Sequence, residues 1–433
     1  KLKKDMGIPN HFQKILNEYP DVISSELSFV VAVYLDFNGI VHWAAGQTAT
    51  EIKYSKKNHK TYIRTLLDNI TKRVVQLIVR VNPTHGRFIK KKRIAIHVDG
   101  SAVRAKMKQQ VQRRVKGPLE HKMKEDIRAD LGEELIGQIY DKNSITPGTP
   151  FMQILNDYLV NELAVQFPEY EIIISDSNRP GEGEHKMFNE IKREQLKLYI
   201  DEKNPENSEK IVIVGLDADL IMLSMVSHLD NIYLMRESTE KGVKGADNIF
   251  SFVDIGFFKM MLISDIRNEI YAIDQSTLYT KSTSNAIIND YIFMCFLLGN
   301  DFVPHSPTLS IRSGGIKRLI EHYVHVFNKT KAHLVTITTD EKTGKIKTKI
   351  NLKPFTMLIG LLANEEDHQM FSLYRKRERL SYRPIQNRNP KGTALDDEFH
   401  KLHYKPSFDI ETELKLKIDG NFGWKQKYFN HVL

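Results

Sequence analysis

Four short stretches of the chain are apolar at nearly every position and then turn acidic. Residues 29–37 (FVVAVYLDF) reach Asp36 and residues 93–100 (RIAIHVDG) reach Asp99. Residues 170–177 (YEIIISDS) reach Asp176, with PGEGEH soon after, and residues 210–219 (KIVIVGLDAD) reach Asp217 and Asp219. Unbroken β-branched runs predict strands covered on both faces, as in the middle of a parallel sheet. Residues 61–82 and 151–167 instead repeat their apolar positions at helical spacing, the second after the N-cap signal TPGT. Strand–helix alternation of this kind predicts an open, mostly parallel α/β sheet flanked by helices on both faces.

From about residue 250 the pattern changes. Residues 284–327 predict helix, loop, helix; the apolar run Tyr291 to Leu298 stops at Gly299, a helix C-terminal signal, and Asp301 follows with two prolines. Residues 333–352 alternate around EKTG and predict a β-hairpin in an otherwise mainly helical C-terminal part. Residues 382–401 are polar, with Pro, Asn and Gly, and predict a mobile loop.

The acids after the strands set the chemistry. In an open α/β sheet the carboxyl ends of the strands form one margin, where ligands bind. A single Asp there is ordinarily a turn or helix N-cap residue. Several together are another matter, since the shared margin gathers Asp36, Asp99, Glu182, Glu184, Asp217, Asp219 and, from the helical part, Asp301. So many carboxylates at one place either stay partly protonated or are neutralised by a cation. Hard divalent cations take oxygen ligands, and two Mg²⁺ ions (with Mn²⁺ able to substitute) suit phosphodiester hydrolysis. Residues 182 and 184 project the same way if the chain is extended and face solvent if it turns. His185 reads as a structural hydrogen-bonding residue. PGEGEH lacks Walker spacing, and neither a G-x-S-x-G elbow nor HExxH occurs.

Composition narrows the class. A length of 433 residues suits two or three domains. The one cysteine, Cys295, excludes an intrachain disulfide and a Cys-rich zinc site, suits a reducing compartment, and reads as a packing residue inside an apolar helix. No signal-peptide core or bilayer-length apolar run is seen. The formal charge is +9, and about fourteen Lys/Arg against four acids lie between Arg87 and Arg128. Within that run, residues 99–117 predict a helix that places Lys106, Gln110, Arg113 and Arg114 close together, a good phosphate receptor. Beside a two-metal centre it would hold a terminal phosphate while the adjacent diester is cut. That predicts preference for a 5′-monophosphate and removal of one nucleotide at a time.

The segments MGIPNHFQKILNEYP, YLDFNGIVH, DGSAVRAKMKQQVQRR, ITPGTPFM, PGEGEHKMFNEIK, VGLDADLIML and FLLGNDFVPH occur in this order, from Met6 to His305, with a weaker likeness through GWKQKYF. Together they resemble the conserved regions of XRN-type 5′→3′ exoribonucleases. The resemblance implies a PIN-like nuclease core with divalent metal, acting processively on single-stranded RNA that bears a 5′-monophosphate. It implies the seven acids as metal ligands, the Lys106–Arg114 set as the 5′-phosphate pocket, His42 as a residue stacking on the first base, and Asn38 as a site-organising residue beside Asp36. The expected organisation is a core over 6–250 with the basic helical segment 100–130, a helical part over 251–330 that completes the site through Asp301, and a C-terminal segment over 331–433. A monomer is expected, intracellular in cytoplasm or nucleus or of viral origin, without a membrane partner. Residues 1–5 precede the family's usual Met-Gly start, Val103 stands where a proline is usual, and the family's later Trp- and Tyr-rich segment is not seen. The rival readings are a flap-endonuclease-like 5′ nuclease acting on DNA, against which the Lys106–Arg114 pocket argues, and an inactive RNA-binding homologue, against which the retained acids argue.

Overall fold

The computed structural model describes residues 15, 18–193, 198–237, 250–273, 281–300, 303, 306–311, 314–339, 346–381, 393–395, 398–399 and 414–432. The chain divides into two compact units. One comprises His11–Val115 and Ile136–Leu262, the other Lys1–Asn10, Lys116–Leu135 and Ile263–Leu433.

The first unit is the α/β sheet. In chain order it contains β1 (Ile23–Ser24), β2 (Val30–Asp36), α1 (Phe37–Glu51), α2 (His59–Val81), β3 (Arg93–His97) and the start of α3 (Arg104–Asp130). It continues with α4 (Pro150–Tyr158), β4 (Glu171–Ser175), α5 (Gly183–Arg193), β5 (Lys210–Val214) and α6 (Asp219–Val226). Last come β6 (Ile232–Glu237), β7 (Phe250–Asp254) and the start of α7 (Ile255–Ile273). The strand order is β1-β7-β6-β5-β2-β3-β4. From β6 to β4 every pairing is parallel, while β7 and β1 add antiparallel partners at one side. The four predicted strands are β2, β3, β4 and β5. β6 and β7 are not among them; at β7 the strand passes from Asp254 directly into α7 with no loop, which hides the change of period.

Burial follows the pattern that predicted the strands. β2 lies in the middle and buries Val30 to Leu35 completely or nearly so, whereas β4, at the margin, is half-buried over Glu171–Ile174. On one face, Val33, Leu35, Ile94, Ile96 and Val212 pack against apolar residues of α1, α2 and α4, such as Ala44, Leu66, Ile70 and Leu155. Each such fully buried side chain contributes about 1.5–3 kcal/mol. The other face carries Tyr34 and His97, stacked with ring centroids 6.2 Å apart, and is covered by α5. The chain lays down β2, β3 and β4 outward on one side, then returns to place β5 on the other side of β2. The carboxyl ends of β2 and β5 are therefore a topological switch point, the place where such sheets hold ligands.

Among the described residues the second unit is helical with one hairpin. It contains α8 (Lys281–Phe296), α9 (Gly315–Thr330), β8 (Val335–Thr339) paired antiparallel with β9 (Ile346–Ile350), α10 (Leu352–Ser381) and α11 (Trp424–Val432). This is the predicted helix, loop, helix followed by a hairpin, and Gly299 beyond α8 has the left-handed φ of +83° expected of a terminating glycine. The fully buried Asp290 joins α8 to α9 and β8. It accepts from Tyr323 Oη at 2.8 Å and from Val335 N at 2.8 Å, and lies 2.6 Å from His333 Nδ1. The predicted loop 382–401 falls outside the described residues, apart from 393–395 and 398–399. Among the described residues no helix is long and apolar enough to cross a membrane.

Candidate metal centre

The first unit gathers six of the seven predicted acids at the carboxyl margin of its sheet. Asp36 is the last residue of β2 and occupies the N-cap position of α1, yet its side chain makes no capping hydrogen bond. Asp99 lies two residues beyond β3, in a loop laced by backbone bonds to the end of β4 and the loop after it. Val98 N donates to Ser175 O at 2.9 Å, Gly100 N to Gly181 O at 2.8 Å, and Gly181 N to Ser101 O at 3.0 Å. Asp99 N donates to Asn38 Oδ1 at 3.0 Å, so Asn38, the second residue of α1, ties the segment after β3 to the start of that helix. Asp99 Oδ1 in turn accepts Gly183 N at 2.7 Å. Glu182 and Glu184 flank that glycine at the start of α5 and are 6% and 5% exposed. Asp217 and Asp219 are half-buried between the end of β5 and the first residue of α6.

Glycines make this approach possible, and their part is not apparent from the motif pattern alone. A Cβ on Gly183 would lie 2.7 Å from His97 O and 3.0 Å from Asp36 Oδ1, and one on Gly100 would lie 1.8 Å from Arg179 O. The available signals are the D-G after β3 and the G-E-G-E before α5, where small residues alternate with acids. A second unforeseen feature is the buried pair of His97 Nε2 and Glu190 Oε2, 3.2 Å apart beneath the loop after β4.

The acids act on one another. Burial, followed by the charges of Asp99 and Asp217, raises the Asp36 carboxyl well above the usual carboxylate range, against the opposing pull of Lys106. Burial also pushes Glu184 up to about 9, with Asp219, Asp36 and Asp217 adding to it. Glu184 Oε2 is buried with no hydrogen-bond partner among the described residues. His185 stands beside it, its Nε2 4.0 Å from Glu184 Oε1. Ligand atoms of Glu182, Glu184 and His185 all lie within 4.8 Å of one another. The protein thus encloses a group of carboxyl oxygens in which Asp36 and Glu184 resist ionisation, with one oxygen given no donor among the described residues. Such a donor set fits a hard divalent cation, which takes oxygen ligands and removes the repulsion.

The remaining predicted residues fall as follows. Lys106 is buried, and its ammonium pairs with Glu182, so it enters the acidic cluster itself. Gln110 is half-buried and Arg114 exposed, the Arg114 Nε lying 3.4 Å from Gln110 O. Arg113 belongs to α3, but its side chain is outside the described residues. Val103, 55% exposed, immediately precedes α3. His42 is exposed on α1, one turn beyond Asn38. Asp301 lies outside the described residues. Cys295 is buried in α8, in keeping with packing.

Comparison with known proteins bears on the family of the chain. Residues 6–238 match the family model described as the XRN 5′-3′ exonuclease N-terminus, and residues 281–431 match the Xrn1 helical domain. The 5′-3′ exoribonuclease 2 homolog of Drosophila melanogaster is 28% identical over 87% of this chain and 46% of its own length. The 5′-3′ exoribonuclease 2 of Arabidopsis thaliana is 26% identical over 96% of this chain and 47% of its own. That of Aspergillus fumigatus is 32% identical over 73% of this chain and 35% of its own. The chain therefore spans about half or less of the length of these relatives. With the nuclease model covering more than half of its residues, the chain belongs to the XRN 5′-3′ exonuclease family.

Proposed function

We propose that this chain hydrolyses single-stranded RNA stepwise from a 5′-monophosphate end, releasing mononucleotides in the 5′→3′ direction. The observation that carries the reading is the gathering of Asp36, Asp99, Glu182, Glu184, Asp217 and Asp219 at one sheet margin, with Glu184 Oε2 buried and given no donor among the described residues. In this reading those six acids, with Asp301 from the sequence motif as a seventh, hold two Mg²⁺ ions. The bound cations supply acidity for the attacking water and neutralise charge on the scissile phosphate.

The chain's own groups do the rest. Lys106, Gln110, Arg113 and Arg114 receive the terminal phosphate, a reading supported by the pairing of Lys106 with Glu182 of the acid cluster. His42 offers an exposed ring on which the first base stacks, an interaction worth roughly 1–3 kcal/mol and tolerant of sequence. Asn38 acts as a positioning residue, fixing Asp99 against α1. Water oxygen bonds to phosphorus as the bond from phosphorus to the first nucleotide's O3′ breaks, and O3′ takes up a proton. The phosphate stays on the second nucleotide, so the shortened RNA again carries a 5′-monophosphate and the receptor can bind it afresh.

The test is to incubate the protein with Mg²⁺ and RNAs identical except for a 5′-monophosphate, triphosphate or hydroxyl, alongside the same sequence as DNA. Mononucleotides accumulating from the 5′-monophosphate RNA, and far more slowly from the others, are expected. Internal cuts, or equal use of all ends, would refute the proposal.

A further inference from the structure

The loop that carries Glu182 has a second concavity beyond it. Ser175, Arg179, Lys186, Asn189, Glu190 and Arg193 line a space of about 200 Å³ between the end of β4 and α5. That is room for roughly seven waters, the scale of one sugar–phosphate unit. Three of these side chains are cationic. Arg179 and Arg193 are exposed, with no ion pair among the described residues. Lys186 Nζ donates to Asp176 O at 2.7 Å and Arg179 O at 3.2 Å, which leaves one of its three N–H groups. Burial lowers this ammonium to about 8 against the opposing pull of Asp176 and then Asp99, and the influence of Asp99 puts the concavity beside the acid cluster.

The one acid in the lining does not neutralise the cations. Glu190 is 8% exposed, and its Oε2 is taken up by His97. Its Oε1 is buried and has no hydrogen-bond partner among the described residues. The wall therefore presents a buried acceptor that wants a donor, while the rim presents cations that want an anion. A single group that answers both carries a phosphate and a hydroxyl close together. Ribose phosphate does, and deoxyribose phosphate lacks the 2′-hydroxyl.

Resting on the reading that the chain acts on RNA, we infer that this concavity is a ribonucleotide subsite. Arg179, Arg193 and Lys186 hold a phosphate, and Glu190 accepts a ribose hydroxyl. The occupant is either a nucleotide of the RNA chain or the released mononucleotide.

Binding measured in EDTA, where hydrolysis stops, tests this with a short 5′-monophosphorylated RNA, the matching DNA and a nucleoside 5′-monophosphate. Arg179→Ala with Arg193→Ala removes two exposed side chains and is expected to keep the fold. It should weaken RNA binding roughly tenfold and flatten the salt dependence by about 0.7 for each phosphate no longer neutralised. Glu190→Gln should narrow the preference for RNA over DNA. If the double variant also fails to bind the mononucleotide, the occupant is released product; if only RNA binding suffers, the occupant is a nucleotide of the chain. Wild-type-like RNA affinity in the double variant would overturn the subsite. So would an equal weakening in the exposed control Lys57→Ala with Lys60→Ala, since that would reduce the effect to net charge. A wild-type protein that neither binds nor cleaves RNA would instead overturn the proposed function.

Discussion

β5 has buried or half-buried acids at both ends, and the two ends are built in opposite ways. At its amino end Glu209 is completely buried and receives backbone N–H groups from Tyr199 at 2.8 Å, from Phe88 at 3.3 Å and from Arg87. At its carboxyl end burial raises the proton affinity of Glu184, with Asp219, Asp36 and Asp217 adding to it, and Glu184 Oε2 has no donor among the described residues. Asp290 in the helical unit follows the first plan, with partners from α9, β8 and the segment between them. Burial of a carboxyl group is therefore not in itself a sign of function. The distinguishing feature is whether the fold supplies the hydrogen bonds that burial demands. Glu209 and Asp290 are hubs that hold segments together, while the other margin is left for something outside the chain to complete.

The sharpest way to break this comparison is to remove acids at each end. Asp217→Ala with Asp219→Ala is expected to lower RNA cleavage by a factor on the order of 10³ or more, since a metal centre supplies several kcal/mol to the transition state. The same variant should melt no lower than wild type in EDTA, because two mutually repelling charges are gone. Single-turnover cleavage and thermal melting read the two effects separately. Retained cleavage would remove these residues from the centre.

Glu209→Ala should do the reverse. It strands buried N–H groups, each costing about 1–3 kcal/mol, and should destabilise the unit by roughly 3–5 kcal/mol. Cleavage per folded molecule should hardly change. A denaturant melt that matched wild type would show that the amino-end hub is dispensable.

Two glycines sharpen the contrast at smaller scale. A Cβ on Gly86 would come 2.7 Å from Glu209 Oε1 and 2.7 Å from Val31 Cγ1, so Gly86→Ala strains the hub. A Cβ on Gly183 meets His97 O and the carboxyl of Asp36, so Gly183→Ala displaces the start of α5 and two acids with it. Both should cost about 1–3 kcal/mol in stability. Only Gly183→Ala should also reduce cleavage, by roughly 10²-fold, in keeping with the sensitivity of catalysis to small misplacements.

Much of this is legible in the chain because strand and acid sit next to each other. A β-branched run covered on both faces must end at a margin, and the residue after it has nowhere else to go, which is why Asp36, Asp99, Asp217 and Asp219 can be placed together without coordinates. The antiparallel side of the sheet is less legible, since β7 passes from Asp254 directly into α7 with no connecting loop. The pairing of Lys106 with Glu182 is hidden as well: helical spacing groups Lys106 with Gln110, Arg113 and Arg114, but cannot say that the first turn of α3 meets the loop after β4. The hub at Glu209 carries no local signal at all. Its donors come from residues 87, 88 and 199, and only the folded chain brings them to one carboxylate.

The smallest expected effect is the pH dependence of the cluster, and it tests the need for a cation most directly. An unfolded Glu titrates near 4.5, whereas burial in the folded protein pushes Glu184 up to about 9. Between those values the folded state binds a proton that the unfolded state has lost, so stability falls as pH rises. The contribution is complete below about pH 4.5 and gone above about pH 9. Because the cluster shares its protons among several acids, the loss between pH 6 and 9 should be about 1–2 kcal/mol rather than the full shift. Melting in EDTA should therefore drop over that range, and Glu184→Gln, which fixes the uncharged form, should flatten the drop and raise the melting point at pH 8. Saturating Mg²⁺ should reverse the trend in wild type, adding about 2.7 kcal/mol at a hundredfold excess over Kd and releasing protons on binding. The variant should gain much less. If EDTA melting were equally flat in wild type and Glu184→Gln, or Mg²⁺ stabilised both alike, Glu184 would be an ordinary buried acid and the carboxyl margin would need no cation.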